Sequence, residues 1–467
     1  MTLPLTTGEF SNGGFGEITS GDYRRRHSEI RFARSPYLSA TSRTATPGSR
    51  DSATICALRS SGHRRRPAVE TSTPSDRKNS NVSSMEKLHP CSKTGMASQE
   101  KQIKNRWGPA AAYSQHAFPK TNNFDLIRLV AAMQVVFVHA VEHLNLPING
   151  TLHAIIYNLP GVPIFFVISG FLISASYVRN DDIWNYLTNR ALRIFPALWG
   201  CLAVSFLSAW LLGGISQSAR IADIGLWFLA QSTFLQFYNP DFLRGYGIGV
   251  LNGSLWTIPV EIQFYILTPI VIYLYFRLRL AFTSLFIVFL GINSLNSFSF
   301  FDDHLPRLVA ALIGVTFLPW LALFLIGVLI QLNYHRVRFL LEGRALWWIV
   351  GYTGMISLTL LLNIDISGNR LLLPWSVVLA FTTCSRAFTR KDTSQSLIGR
   401  NDISYGVYIY HMLAINAVIS LGFVFNWWAM LLALGITLFC STVSWAFIEE
   451  PALRLKPTSL RKSGRVD

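Results

Sequence analysis

The sequence predicts an all-α membrane protein of about ten transmembrane helices behind a disordered basic amino-terminal extension. Three observations predict it. Of 467 residues, 51% are hydrophobic and only 14% charged, against about 25% charged in an average soluble domain. Apolar runs near the ~20 residues that a bilayer core requires recur from residue 124 onward. Charge is uneven: residues 1–120 hold 19 Lys or Arg and 9 Asp or Glu, hence +10 of the total +16, which leaves +6 for the other 347 residues.

Residues 1–120 are rich in Ser, Thr, Arg and Pro, carry RRR at 24–26 and 64–66, and show no sustained apolar periodicity. Such a composition cannot bury enough apolar surface to fold and is expected to be disordered. It reads as a solvated extension, or as translation from an upstream start with Met85 or Met96 as the first residue, rather than as a nucleic-acid or anionic-lipid arm. No nucleic-acid partner is expected. Because no apolar signal-peptide core precedes residue 124, membrane targeting is expected to come from the first spanning helix. Cys56, Cys91, Cys201, Cys384 and Cys440 are far apart, so neither a disulfide framework nor a zinc cluster is indicated.

Candidate spans are 124–144, 161–178, 195–214, 255–276, 280–299, 307–331, 346–363, 371–388, 403–424 and 428–448. They define a membrane domain over 121–457 and a short tail at 458–467. The stretch 221–237 is apolar but shorter, and Asp223 and Gln231 interrupt it. If it does not span and the amino terminus is cytoplasmic, 17 Lys or Arg fall in cytoplasmic segments, and only Arg220, Arg244 and Arg370 lie outside. Making it a span would invert every basic cluster from Arg277 to Arg400, against the positive-inside bias. Ten spans with both termini cytoplasmic are therefore expected, and 221–237 is expected to be re-entrant or to lie along the interface.

Polar side chains inside these runs are expensive and mark function. The first span carries Asp125, Arg128, His139, Glu142 and His143. Its His139 lies 11 residues beyond Arg128, about 16 Å along a helix axis, and an imidazole near its working pH suits general-base catalysis. A packing histidine bonded to a neighbouring helix is the alternative. His139, Glu142 and His143 also match the spacing of an inverted zinc-protease motif, but no third ligand follows downstream, so no metal is expected. In GVPIFFVISGFLIS, residues 161–174, Ser169 and Gly170 read as small residues for close helix packing, with a nucleophilic serine as the alternative. NRALRIFP, residues 189–196, puts Arg190 and Arg193 three apart on one helical face, where two guanidiniums suit phosphate. In SLWTIPVEIQFY, Trp256 sits at interface depth and Glu261 about two turns into the span, where it needs an Arg or His partner and could orient a base or bind a hydroxyl. ISYGVYIYH sets His411 in mid-span, and Glu449, Glu450 and Pro451 of FIEEP read as a helix stop.

This ordered set of six motifs over residues 120–457 resembles the acyltransferase-3 family of integral membrane acyltransferases. The resemblance implies a ten-helix fold that moves acetyl or other short acyl groups, supplied as acyl-CoA, to hydroxyls of polysaccharides or lipid-linked sugars. It implies His139 as the catalytic histidine and Arg190 with Arg193 as the family's paired arginines. Donor-side cations would be Arg190, Arg193 and Arg128; Glu261 would support His139; and Trp256, His411, Glu142 and Ser169 would contact substrate. No bound cofactor is implied beyond acyl-CoA, most simply acetyl-CoA, as co-substrate, and the setting would be a bacterial inner membrane. The competing reading is a glycan transporter or flippase that uses the same residues as a proton relay, but such carriers show internal repeats, and none relates residues 124–276 to 307–448. A membrane sensor presenting the basic tail is a third reading.

Overall fold

The computed structural model describes residues 118–119, 121–179, 182–217, 219–362, 368–399 and 401–456, so the expectations for the amino-terminal extension and for the tail at 458–467 lie outside the described residues. Among the described residues every regular element is helical. The first part of the bundle comprises α1 (Phe124–His143), α2 (Gly150–Tyr157), α3 (Gly161–Arg179), α4 (Ile183–Leu211), α5 (Ile221–Gln231), α6 (Thr257–Arg277) and α7 (Arg279–Ser297). Short helices α8 (Phe300–His304) and α9 (Arg307–Gly314) lead into α10 (Leu321–Leu332) and α11 (Tyr334–Leu341). The chain closes with α12 (Ala345–Leu361), α13 (Leu373–Phe388), α14 (Thr393–Ile398), α15 (Ser404–Ser420), α16 (Trp427–Ser444) and α17 (Glu450–Arg454).

Among the described residues, six helical stretches are long and apolar enough to cross a membrane: Phe124–His143, Gly150–Arg179, Ile183–Leu211, Gly253–Arg277, Arg279–Ser297 and Trp427–Arg454. Helices α5, α10 and α12 are apolar but shorter. The 11 residues of α5 reach only about 16 Å, half a hydrocarbon core. Peripheral helices leave large apolar side chains uncovered, including Trp210, Leu280, Trp347, Trp428, Phe439 and Phe447. In water such a surface would aggregate, whereas in lipid it is solvated.

Two helices form the centre. Helix α3 packs against α10, α1, α6 and α13, and α15 packs against α16, α1 and α4. Both are buried nearly all round, in α15 from Gly406 through Asn416. Glycines set the α3–α10 distance: a Cβ on Gly170 would collide with the Phe324 carbonyl, and one on Gly327 with the Val167 carbonyl. Without a hydrophobic drive between helices in lipid, such backbone contact is what holds a pair together. The sequence reading of Gly170 as a packing residue therefore has a specific partner.

Three segments differ from the sequence expectation. The run 307–331 is not one helix, because the chain opens over residues 315–320 ahead of α10. Pro319 lacks the donor a helix needs there, and Gln263 of α6 satisfies part of the break: Phe317 N–H donates to Gln263 Oε1 at 2.9 Å, and Gln263 Nε2 donates to the Val315 carbonyl at 3.3 Å. Helix α4 starts at Ile183, twelve residues before the expected span at 195, and carries Pro196 within it. Its start is fixed by the Asp182 carboxylate, which accepts from the N–H groups of Trp184 and Asn185. Finally, FIEEP does not stop the last helix; a π-turn at Trp445–Glu449 carries it into α17.

Substituting Gly170 with Val drives side-chain atoms into the α10 backbone and should lower the melting temperature of the detergent-solubilised protein, in line with overpacking costs of about 1–3 kcal/mol. Gly351, around which a Cβ meets nothing within 4 Å, is the control: its Ala variant should melt with the wild type. Equal melting of all three proteins would remove the packing role given to Gly170.

Candidate active site

Helices α1, α3, α4, α6 and α15 enclose a cavity with about 800 Å³ of empty space, open mouth included. It brings together Arg128, Ser169, Arg190, Arg193 and Glu261, drawn from four separate motifs, and adds Tyr265, Ser404, Tyr405 and Tyr408. His139, His411, Glu142 and Trp256 stand outside its lining.

The two paired arginines have different surroundings. Arg193 forms an ion pair with Asp402, and Arg128 donates to the same carboxylate oxygen at 3.1 Å and to Asp125 at 3.1 Å. The Asp402 side chain is 9% exposed and both arginine side chains 22%. Two cations thus face two carboxylates and cancel. Burial alone would raise the Asp402 carboxyl, but Arg193, Arg128 and the Ser404 hydroxyl hold it well below the usual carboxylate range. Arg190 is less committed. Its Nη2 donates to Ser176 Oγ at 3.1 Å, its guanidinium lies 5.8 Å from the centre of the Tyr265 ring, and its buried Nε has no partner. Lys456, just past α17, joins this cation group: burial and then Arg193 and Arg190 push its ammonium down to about 8.

Glu261 differs from expectation in its partner. Instead of an Arg or His from another helix, the Tyr265 hydroxyl, one turn along α6, donates to Glu261 Oε1 at 2.6 Å. A second hydroxyl, that of Tyr186, donates to the Tyr265 carbonyl at 3.0 Å and ties α4 to α6.

One turn of α15 beyond the cavity lies the histidine pair. Nδ1 of His411 sits 2.6 Å from the Tyr408 carbonyl, and Nε2 of His411 sits 2.8 Å from Nδ1 of His139. A carbonyl oxygen only accepts, so with both rings neutral the proton of His411 is on Nδ1 and its Nε2 carries a lone pair. His139 then donates from Nδ1, which leaves Nε2 of His139 as an unprotonated base. The rings stack with centroids 5.0 Å apart. The link to the cavity is Tyr408, which lines it and whose ring centroid is 5.9 Å from that of His411.

Glu142 is exposed and accepts a hydrogen bond from the Tyr157 hydroxyl. The rings of His139 and His143 are 5.7 Å apart, but among the described residues no three His, Cys, Asp or Glu side chains gather as a metal site needs. Trp256 lies 5.4 Å from Trp320, ring centre to ring centre, in a separate cavity. Glu449, read from the sequence as a helix stop, is 3% exposed; Gly406 of α15 leaves room for its carboxylate.

Sequence reasoning missed Asp402, because two residues before Ser404 it looks like an ordinary helix cap. Its hydrogen bonds to Ser404 fit that reading, but its ion pairs reach residues 274 and 209 positions away. Tyr408 and Tyr265 were visible only as aromatic residues in apolar runs.

Fold and site together define an integral membrane protein with a cation-lined cavity, whose wall residue Tyr408 leads to a pair of hydrogen-bonded imidazoles. The acyltransferase domain of the acyltransferase-3 family matches residues 121–446, and the chain belongs to that family; it is an O-acyltransferase. It is similar to nodulation protein 10 of Rhizobium leguminosarum bv. viciae, 34% identical over 74% of this chain and 97% of the relative. It is also similar to the O-acetyl transferase of Shigella phage Sf6, 28% identical over 71% and 96%. A shorter match, 31% identical over 24% of this chain and 20% of the relative, links it to the O-acetyltransferase OatA of Staphylococcus aureus. No solved structure matches the chain.

Substituting Asp402 with Asn leaves Arg128 and Arg193 side by side without their shared counter-charge. Loss of one partner from a buried ion pair costs about 3–5 kcal/mol, so the variant should melt well below the wild type at neutral pH. The depressed carboxyl contributes stability above the ordinary carboxylate range and loses it only as pH falls below that range. The wild-type advantage over the variant should therefore persist from neutral to mildly acidic pH and vanish in strong acid; an advantage already gone at mildly acidic pH would contradict the ion-pair account.

Proposed function

We propose that the protein moves an acetyl or other short acyl group from acyl-CoA to a hydroxyl of a cell-envelope carbohydrate or lipid-linked sugar. The observation that carries the reading is the Tyr408–His411–His139 chain, which starts from Tyr408 on the wall of the cation-lined cavity and leaves a lone pair on Nε2 of His139. Arg190, with an unpartnered Nε, and Lys456 would hold the donor's phosphates, while Arg193 and Arg128 keep the cavity mouth in shape through Asp402. This departs from an equal role for the two paired arginines.

In the reaction, Nε2 of His139 takes the proton of the acceptor hydroxyl as the oxygen attacks the thioester carbonyl. The carbon–sulfur bond breaks, and the departing thiolate recovers the proton from His139. His411 keeps the ring in the useful tautomer. Glu261, with the proton of Tyr265 held against it, stands on the cavity wall as a polar contact for the donor arm or the acceptor, alongside Ser169.

The same reading takes the membrane to be a bacterial inner membrane, crossed ten times, with the broken pair α9 and α10 forming one crossing, α12, α13 and α15 three more, and both termini cytoplasmic. The predominance of Lys and Arg on one side of that topology supports it. The Shigella phage relative, an O-acetyl transferase, supports acetyl as the group transferred.

Purified protein in nanodiscs, given acetyl-CoA and envelope glycans from a strain lacking the gene, should acetylate the glycans. His139→Ala should lower that rate by about 10²- to 10⁴-fold in protein that still inserts and folds, with a melting temperature lowered only by loss of the hydrogen bond to His411. Retained turnover in the folded variant would refute the assignment.

Lys456 adds a pH signature. Since its ammonium is charged below about 8, the KM for acyl-CoA should rise as pH increases through that value. The rise should be absent in Lys456→Met; an identical rise in both proteins would exclude Lys456 from donor binding.

A further inference from the structure

A second cavity, with about 860 Å³ of empty space including its mouth, lies where the amino-terminal end of α6 meets the carboxy-terminal end of α7, helices α8 and α9, and the chain ahead of α13. Trp256, Trp320, Asn296, Asp302, Asn369 and Arg370 are on its wall. We propose that this cavity binds a sugar ring of the acceptor. The inference rests on the acyltransferase reading above and assigns to it a site distinct from the arginine-lined cavity.

Three features specify the ligand chemistry. The indoles of Trp256 and Trp320 lie 5.4 Å apart at 44°, and Trp320 is held by its Nε1 donating to the Gly314 carbonyl at 2.8 Å. Trp256, partly exposed, offers a rigid apolar face of the kind that the C–H side of a pyranose covers, and the buried Trp320 backs it. Asn296 is 7% exposed and its Nδ2 has no hydrogen-bond partner. A buried donor left unmade costs about 1–3 kcal/mol, and a ligand hydroxyl on the cavity side would remove that cost. Asp302 and Arg370 pair at 2.5 Å, with Arg370 also donating to Ser299 Oγ at 3.0 Å. Their side chains are 40% and 34% exposed, so acceptor and donor atoms remain within reach of a ligand at the mouth.

Alternating apolar face and hydroxyl edge is the surface of a carbohydrate. A phosphate fits poorly, since the one arginine here is already paired with a carboxylate that repels anions. A lipid tail would leave the amide and the ion pair without a role.

The position also suits an acceptor. Trp256 immediately precedes Thr257, which lines the arginine cavity, and Trp320 lies 5.8 Å from Phe166, which lines it too. A thin partition of aromatic side chains thus separates the two compartments, so donor and sugar would approach the transfer point from different sides.

The test uses the full chain in nanodiscs with radiolabelled acetyl-CoA and a glycan extract from an envelope lacking the gene. Asn296→Leu removes the unpartnered donor while keeping the volume, and Asp302→Asn changes a rim carboxylate that folding does not need buried. Each should raise the glycan concentration for half-maximal transfer by about 5- to 10-fold, with kcat at saturating glycan and the KM for acetyl-CoA close to wild type. Asn296→Leu should melt no lower than wild type, which a purely structural amide would not allow. An unchanged glycan KM in both folded variants, or a rise in the acetyl-CoA KM instead, would overturn the assignment. Failure of the wild type to label any glycan would instead sink the acyltransferase reading of the acceptor on which it rests.

Discussion

Removal of polar side chains from water is the constraint on which this structure depends, and α15 is where it is met. At its start Asp402 neutralises Arg128 of α1 and Arg193 of α4. At its middle His411 pairs with His139 of α1. Near its end Asn416 accepts from the Ile248 N–H and donates to the Val250 and Leu251 carbonyls, which fixes the long connection ahead of α6. In a low-dielectric bundle an unpaired group of any of these kinds is costly, so each pairing also sets where its partner helix can lie. The close glycine-mediated contact of α3 with α10 provides the rigid counterpart against which these polar pairings are held.

From this arrangement follow two compartments of different polarity. The arginine cavity is polar at the Arg128–Asp402–Arg193 end and aromatic toward Tyr408, beyond which stand the imidazoles. On the far side of Trp256 and Trp320 a separate compartment carries an amide and an ion pair but no unpaired cation. On the proposed reading, a charged, extended donor and a neutral, hydroxyl-rich acceptor have opposite demands, which two compartments of different polarity would meet without requiring one pocket to do both.

Much of this was legible in the sequence because intramembrane charge is so conspicuous. Arg128, Ser169, Arg190, Arg193 and Glu261 were singled out from four motifs and line one cavity; His139 and His411, from the first and fifth, are in direct contact. What stayed hidden depended on distant partners. Asp402 resembles a cap until Arg128 and Arg193 arrive from elsewhere in the chain. The lone pair on His139 depends on a backbone carbonyl, which no sequence pattern displays. Hydropathy averaged over Pro319 also concealed the break in 307–331, because the apolar content of that run is uninterrupted while its hydrogen bonding is not.

The most direct measurement is a cryo-electron microscopy structure of the nanodisc-embedded protein with a non-transferable thioether analogue of acetyl-CoA. The account predicts phosphates against Arg190 and Lys456, an intact Asp402 bridge, and the acyl end reaching past Tyr408 to Nε2 of His139. An analogue whose phosphates avoid Arg190, or whose acyl end lies away from the histidine pair, would contradict it.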